Sequence, residues 1–422
     1  MTFWTISLCY LAVPALYQVS TRQAAWNDHY IYLDQTRLLV TLLVTNLLFG
    51  CFALGAAGRG RPRRSRAGRS SVAVAPSTRA ALVVPAMYAF GALLLLPLVI
   101  AATGGVATLL SSRSERNAAL AAGGVGQDLS GGARLALVAI LPGALALACT
   151  YILVLRRLRG QRYLPVVLLV TGCLLFLYSN PLANTRFVST LAFLPLLLLL
   201  LQPRSRRGLA VLMALLVIGV FAIYPLANTF RGPRVSAETV GLADNDFDGF
   251  QQLVNTQQYV EDHGHTWGRH LGSAILFALP RSIWPGKAVP ASIPVAANRG
   301  YSFTNLSLPL PGELYLEFGL LGAAGVMLVW GRCWRRLDED WAGGIATTTG
   351  ALVPYLAGAQ LGLLRGPAGS LMPVYGSAVV LLAVALWAGR SGARGRGPTT
   401  GRVSADESAP APQPTTADRG AG

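Results

Sequence analysis

Long apolar runs alternate with short polar segments along this chain, and the alternation predicts its elements. Ten runs are apolar almost throughout: 3–20, 38–57, 80–103, 134–155, 164–179, 187–202, 208–227, 314–331, 342–363 and 371–389. A helix crosses a bilayer core of about 30 Å with about 20 apolar residues, and with fewer in short spans. Inside hydrocarbon the backbone must satisfy its own polar groups, so the runs are read as helices. A transmembrane barrel would show short strands of alternating character, and the pattern has none. The prediction is an all-α, polytopic membrane protein with about ten transmembrane helices. Seven helices fall in 1–227, a large and partly helical loop in 228–312, and three more helices in 313–390. The segment 391–422 is rich in Gly, Pro, Ala and Thr and is read as a disordered tail. The run at 3–20 lacks a basic leader and a small-residue cleavage site, so it is read as the first helix and not as a removed signal.

The loop has a pattern of its own. Phe247, Phe250, Val254 and Gln257 recur at spacings of three and four, which predicts a helix over 246–264 with Asp244 and Asp246 as caps. The stretch 266–287 has an apolar centre too short to span a membrane, bracketed by Trp267 and Trp284. It predicts a helix lying at the membrane interface and ended by Pro280. Residues 286–312 read as irregular.

Composition agrees with the pattern. The chain is 53% hydrophobic and 13% charged, with a mean hydropathy of +0.49. A soluble domain of this size would carry about a quarter charged residues. Charge then orients the chain. If the N-terminus is cytoplasmic, 22 of the 35 basic residues fall in 58–79, 156–163, 203–207, 332–341 and 390–422, all on the cytoplasmic side. The expected location is therefore the bacterial plasma membrane, multi-pass, with both termini inside. The net charge of +17 follows from this bias and gives no reason to expect a nucleic-acid partner. The five cysteines, at 9, 51, 149, 173 and 333, lie in or beside helices, with no disulfide or zinc spacing.

Against that bias, the outer loop still carries Arg231, Arg234, Arg269, Arg281, Lys287 and Arg299. Charge placed against the topological preference points to an anionic ligand. Arg113 and Arg116 in SSRSERN (111–117), Arg186 in NPLANTRF (180–187) and Arg365 in the last outer loop add to it. Guanidinium groups hold phosphate through two hydrogen bonds and stay charged, which suits a lipid diphosphate. Glu313 and Glu317 open the eighth span one turn apart. Each is a candidate proton acceptor, and each would also complement a helix N-terminus. Gly319 and Gly322 are read as permitting close helix packing. His263, His265 and His270 are close in sequence, but without metal-ligand spacing, so no metal site is expected. No Gly-rich loop follows a strand, and no cofactor is expected.

The series NPLANTRF, FRGPR, DFDGFQQLVNTQQYVEDHG, GRHLGSAILFALPRSIWPGK and SFTNLSLPLPGELYLEFGLLGAAG resembles the O-antigen polymerase (Wzy) family of oligosaccharide repeat-unit polymerases, over about residues 111–330. The resemblance implies a glycosyltransferase at the outer face of the plasma membrane that joins repeat units carried on undecaprenyl diphosphate. Its matching positions are Arg186, Arg231 and Arg281, which it implies bind phosphate or glycan, and Glu313; the outer-face charge adds Arg113 and Arg234 to the binding candidates, and Glu313 or His270 is the candidate acceptor of the hydroxyl proton. The implied partners are the lipid-linked oligosaccharide, membrane lipid, and a flippase and chain-length regulator of the same pathway. An O-antigen ligase would use the same chemistry with another acceptor. A flippase would place charge inside the spans, and these spans hold almost none.

Overall fold

The computed structural model describes residues 2–26, 34–58, 80–111, 115–116, 118, 135–181, 184, 186–203, 205–223, 242–243, 245–301, 303–304, 306–342 and 344–394. Among these residues every regular element is helical. The larger helices are α1 (Thr2–Thr21), α2 (Gln35–Ala57), α3 (Leu82–Thr103), α4 (Ala136–Leu158), α5 (Pro165–Tyr178), α6 (Arg186–Leu201) and α7 (Arg206–Ile218). The loop contributes α8 (Gly249–His263), α9 (Arg269–Ile275) and α10 (Ser292–Asn298), and the chain closes with α11 (Leu310–Ala342), α12 (Thr348–Arg365) and α13 (Ala368–Arg394). A helix falls on each of the ten predicted runs. Six of them, α1, α2, α3, α4, α11 and α13, are long and apolar enough to cross a membrane; α5, α6 and α7 are apolar but shorter. The predicted tail from residue 395 onward lies outside the described residues.

Local chemistry sets several helix starts. Asp34 accepts from the Thr36 N–H at 2.9 Å, Ser205 from Gly208 at 3.0 Å and Thr347 from Gly350 at 2.9 Å, each satisfying a donor the first turn leaves open. Pro165 opens α5, where its missing N–H costs nothing.

Two apolar clusters form the core. One gathers α3, α4, α5 and α13 around Tyr151, and the other gathers α1, α2, α11 and α12 around Phe3, Phe52 and Met327. The closest pair is α2 with α11, which meet backbone to backbone at Gly55 and Gly331. A methyl group on Gly55 would lie 2.1 Å from the Leu328 carbonyl oxygen, and one on Gly331 would lie 2.1 Å from that of Phe52. Apolar helices surrounded by lipid gain little from hydrophobic burial against each other, so small residues that allow such approach decide the packing.

The predicted packing glycines behave differently. Gly319 has φ 65° and ψ −172° and breaks α11 into Leu310–Phe318 and a longer second part. Gly322 faces the Phe318 side chain on its own helix.

The bundle has two ends. At one, Arg159 donates to the carbonyl of Ile345, and Gly58 lies beside Arg335. At the other, Gln18 donates to the carbonyls of Leu242 (2.7 Å) and Phe247 (3.1 Å), Leu308 N–H donates to Arg365 (3.0 Å), and Arg116 donates to Asn184. Residues 245–312 fold onto this second end.

Candidate functional site

The folded loop is a layer of short helices seated on the helix ends. Its first helix begins later than predicted. A short 3-10 turn, Asn245–Phe247, precedes it, and Asp248 occupies the cap position without bonding the helix N–H groups. The Asp248 carboxylate accepts instead from the Trp26 indole at 2.8 Å and the Gln252 amide at 3.2 Å. Asp246, predicted as a cap, pairs with Arg365 at 2.7 Å. Asp244 lies outside the described residues.

The four residues of the predicted apolar face are all buried, Phe247 in the 3-10 turn and the other three on α8, but so is the other face of α8. Gln251, Gln252, Asn255 and Thr256 are at most 1% exposed. Their groups bond one another and the chain entering from α1: Trp26 N–H donates to Gln251, and Asn255 donates to Gln252 (3.0 Å) and to the Tyr301 hydroxyl (3.2 Å). Such a network is stable only while its members are satisfied. Burial pushes the Asp248 carboxyl above the usual carboxylate range, against the pull of the Ser307, Trp26 and Gln252 hydrogen bonds and the Arg365 charge.

The centre of the layer is the break in α11. At Gly319 the helix carbonyls of Leu316 and Glu317 lose their normal partners and accept from Thr266 (3.0 Å) and Trp267 (2.8 Å). These donors sit in a tight turn in which Gly264, Trp267 and Gly268 all have positive φ. The His265 ring packs on Gly319, between Trp267 and Tyr315. A left-handed Trp267 carries backbone strain of about 1–2 kcal/mol, which the carbonyl contacts hold in place.

Before the break lie Glu313 and Glu317, both fully buried. Glu317 Oε1 accepts from the N–H groups of His270 (3.0 Å) and Leu271 (3.3 Å), the first turn of α9. Glu313 Oε2 accepts from Ala368 N–H at 2.7 Å, the first residue of α13. The expected complement to a helix N-terminus is thus realised on other helices, not on their own. Each carboxylate keeps one buried oxygen, Glu313 Oε1 and Glu317 Oε2, without a partner. Neither forms an ion pair among the described residues.

His270 is 7% exposed, and its Nδ1 lies 2.7 Å from the Val289 carbonyl oxygen. A carbonyl only accepts, so Nδ1 carries a proton and donates to Val289. Val289 therefore orients the ring at Nδ1, and Glu317 holds the residue's backbone N–H. Of the candidate proton acceptors, the fold links Glu317 to His270, and that link spans 47 positions and has no local signal in the sequence.

The predicted arginines are dispersed. Arg281 is exposed and donates to the Lys287 carbonyl at 2.6 Å, and Arg299 donates to Gln258 at 2.8 Å. Arg186 is the first residue of α6. Arg113, Arg231 and Arg234 lie outside the described residues. Lys287 directs its ammonium at the carbonyls of Phe277 (2.7 Å), Leu279 (2.8 Å) and Leu276 (3.3 Å), which makes it a cap for that turn. The three loop histidines go to three places: His263 stacks on Tyr259, His265 packs on the break, and His270 opens α9. No group of His, Cys, Asp and Glu able to hold a metal ion occurs among the described residues.

No known protein-family profile, curated protein or solved structure matches this chain.

Proposed function

We propose that this protein polymerises oligosaccharide repeat units carried on undecaprenyl diphosphate, as a membrane-embedded glycosyltransferase at the outer face of the plasma membrane. The observation that carries the reading is His270: a buried imidazole oriented by Val289 at Nδ1, with its backbone N–H held by Glu317, in a layer built over the ends of apolar helices.

In the proposed reaction, a sugar hydroxyl of the incoming lipid-linked unit attacks the anomeric carbon of the growing chain. The new glycosidic C–O bond forms as the bond to diphosphate breaks, and the bonding pair leaves with lipid diphosphate. The hydroxyl proton passes to His270 Nε2. Glu313, sealed and bonded to Ala368, is the weaker candidate for that step and acts as a cap. Negative charge grows on the leaving diphosphate, and fixed guanidinium groups are what would stabilise it; Arg186, Arg231 and Arg281 carry that role from the family resemblance. One displacement inverts the anomeric centre. Holding two long substrates in line is the larger part of the work.

The test is deletion of the gene, followed by sizing of the glycan left on lipid diphosphate. Single repeat units are expected. Full-length polymer stranded on lipid would assign the chain to the ligase reaction instead, and loss of all outward-facing lipid-linked sugar would assign it to flipping.

A further inference from the structure

A descending and a returning leg run beside α13. The descending leg is α9, which starts at the level of Glu317 and packs along α13. It ends where a methyl group on Gly376 would lie 2.7 Å from Phe277 Cε1. The returning leg runs from Lys287 to Pro290, with Ala288 N–H donating to Ser273 at 2.9 Å and the Val289 carbonyl meeting His270. It ends where a methyl group on Gly369 would lie 2.9 Å from Pro290 Cα. From Gly369 to Gly376, α13 descends about 10 Å at 1.5 Å per residue, and three extended residues on the returning leg cover about the same height. The two legs agree on a hairpin two turns deep.

Its outward surface is apolar. Trp267 is 75% exposed, Ile283 71%, Ile275 69% and Leu276 47%, on the flank of α13 that goes on to expose Val380 and Val384. Backbone carbonyls at its turn meet the chain's only lysine, whose ammonium satisfies Leu276, Phe277 and Leu279 together. In water such carbonyls need no side-chain donor; beside hydrocarbon, where solvent is missing, they do. Arg281, exposed beside them, donates to the Lys287 carbonyl at 2.6 Å and satisfies one more acceptor at the turn.

We infer that residues 267–289 form a re-entrant wedge that enters the lipid leaflet on the loop side of the bundle, with Ile275, Leu276 and Ile283 against acyl chains and Lys287 capping the turn. This goes beyond a helix lying flat at the interface, and it does not depend on the transfer chemistry proposed above.

The test uses the full chain in phosphatidylglycerol/phosphatidylethanolamine vesicles, with Cys51, Cys173 and Cys333 replaced by Ser and a nitroxide on a single new cysteine at Ile275 or Ile283. Collision rates with oxygen and with a water-soluble nickel chelate report depth. Both positions are expected to favour oxygen as strongly as a label at Val380, while a label at Ala297, exposed on α10, favours nickel. Nickel-favoured collisions at 275 and 283 would overturn the wedge and leave the segment in water. In Lys287→Met the label at Ile283 is expected to move toward the nickel-favoured range, and Lys287→Arg is expected to restore it. An unchanged ratio in Lys287→Met would overturn the capping role while leaving the depth measurement to stand alone.

Discussion

Single side chains in the loop layer do more structural work than their types announce. Glu317 holds two N–H groups of α9, and leaving a buried hydrogen-bonding group without its partner costs about 1–3 kcal/mol. Glu317→Ala should therefore lower the thermal midpoint and mobilise His270, whereas Glu317→Gln keeps an acceptor oxygen and should retain most of the stability; equal losses in both variants would contradict this account. His270→Ala should stop chain extension, read as glycan length in cells, with protein level unchanged. Asp248 gives a pH prediction. Its carboxyl is raised by burial, so the folded state binds the proton more tightly than the unfolded chain does. Its stabilising contribution is complete below the ordinary carboxylate value and is lost as pH rises through the raised value in the fold. Asp248→Asn, which keeps an oxygen for the Trp26 indole, should flatten the fall in stability across that window in thermal unfolding from acid to neutral pH. These roles were only partly legible in the sequence. Asp246 and Asp248 stand out as acids at a helix start, but their partners, Arg365 and Trp26, are 119 and 222 positions away.

At the scale of elements, glycine decides where helices touch and where one breaks. Gly331→Leu would drive a side chain into the backbone of α2, since even a methyl group would lie 2.1 Å from the Phe52 oxygen. Overpacking of this kind costs about 1–3 kcal/mol, and with backbone on the other side no rotamer relieves it. A clear drop in melting temperature is expected, and an unshifted melt would mean that α2 and α11 can part. Gly319→Ala combines a left-handed backbone with a methyl group 3.0 Å from the His265 ring. The backbone there, φ 65° with ψ −172°, alone costs a non-glycine residue about 1–3 kcal/mol. Loss of activity beyond that loss of stability would show that the break positions the layer above it. Hydropathy found both helices, but it cannot distinguish a glycine that lets helices approach from one that ends a run of helical dihedrals. That distinction depends on what lies across from each glycine. The predicted helix over 266–287 fails for a related reason. Its apolar centre suits a helix, but the carbonyls of Leu276, Phe277 and Leu279 accept from Lys287, and α9 ends after seven residues.

For the whole molecule, the two ends of the bundle carry different chemistry. One end gathers arginine-rich turns, such as those at Arg159 and Arg335; the other bears the folded layer. A cysteine at Arg157 and one at Ala297, both exposed positions, should react with a membrane-impermeant maleimide from opposite sides of intact cells, and Ala297 should be the one labelled from outside. Labelling from the same side would overturn the orientation taken from the positive charges. The sequence by itself determined the all-helical class and the places of the long apolar helices. Those properties are local: hydropathy, period and charge act within a run of residues. Only the tertiary structure decided that Glu313 and Glu317 would each serve a different helix, that Asp246 would meet Arg365 and that His270 would be held by Val289 and Glu317. Those contacts join parts of the chain that are close only once the helices have packed, and the geometry of packing is set by pairs of surfaces that no single stretch of sequence contains.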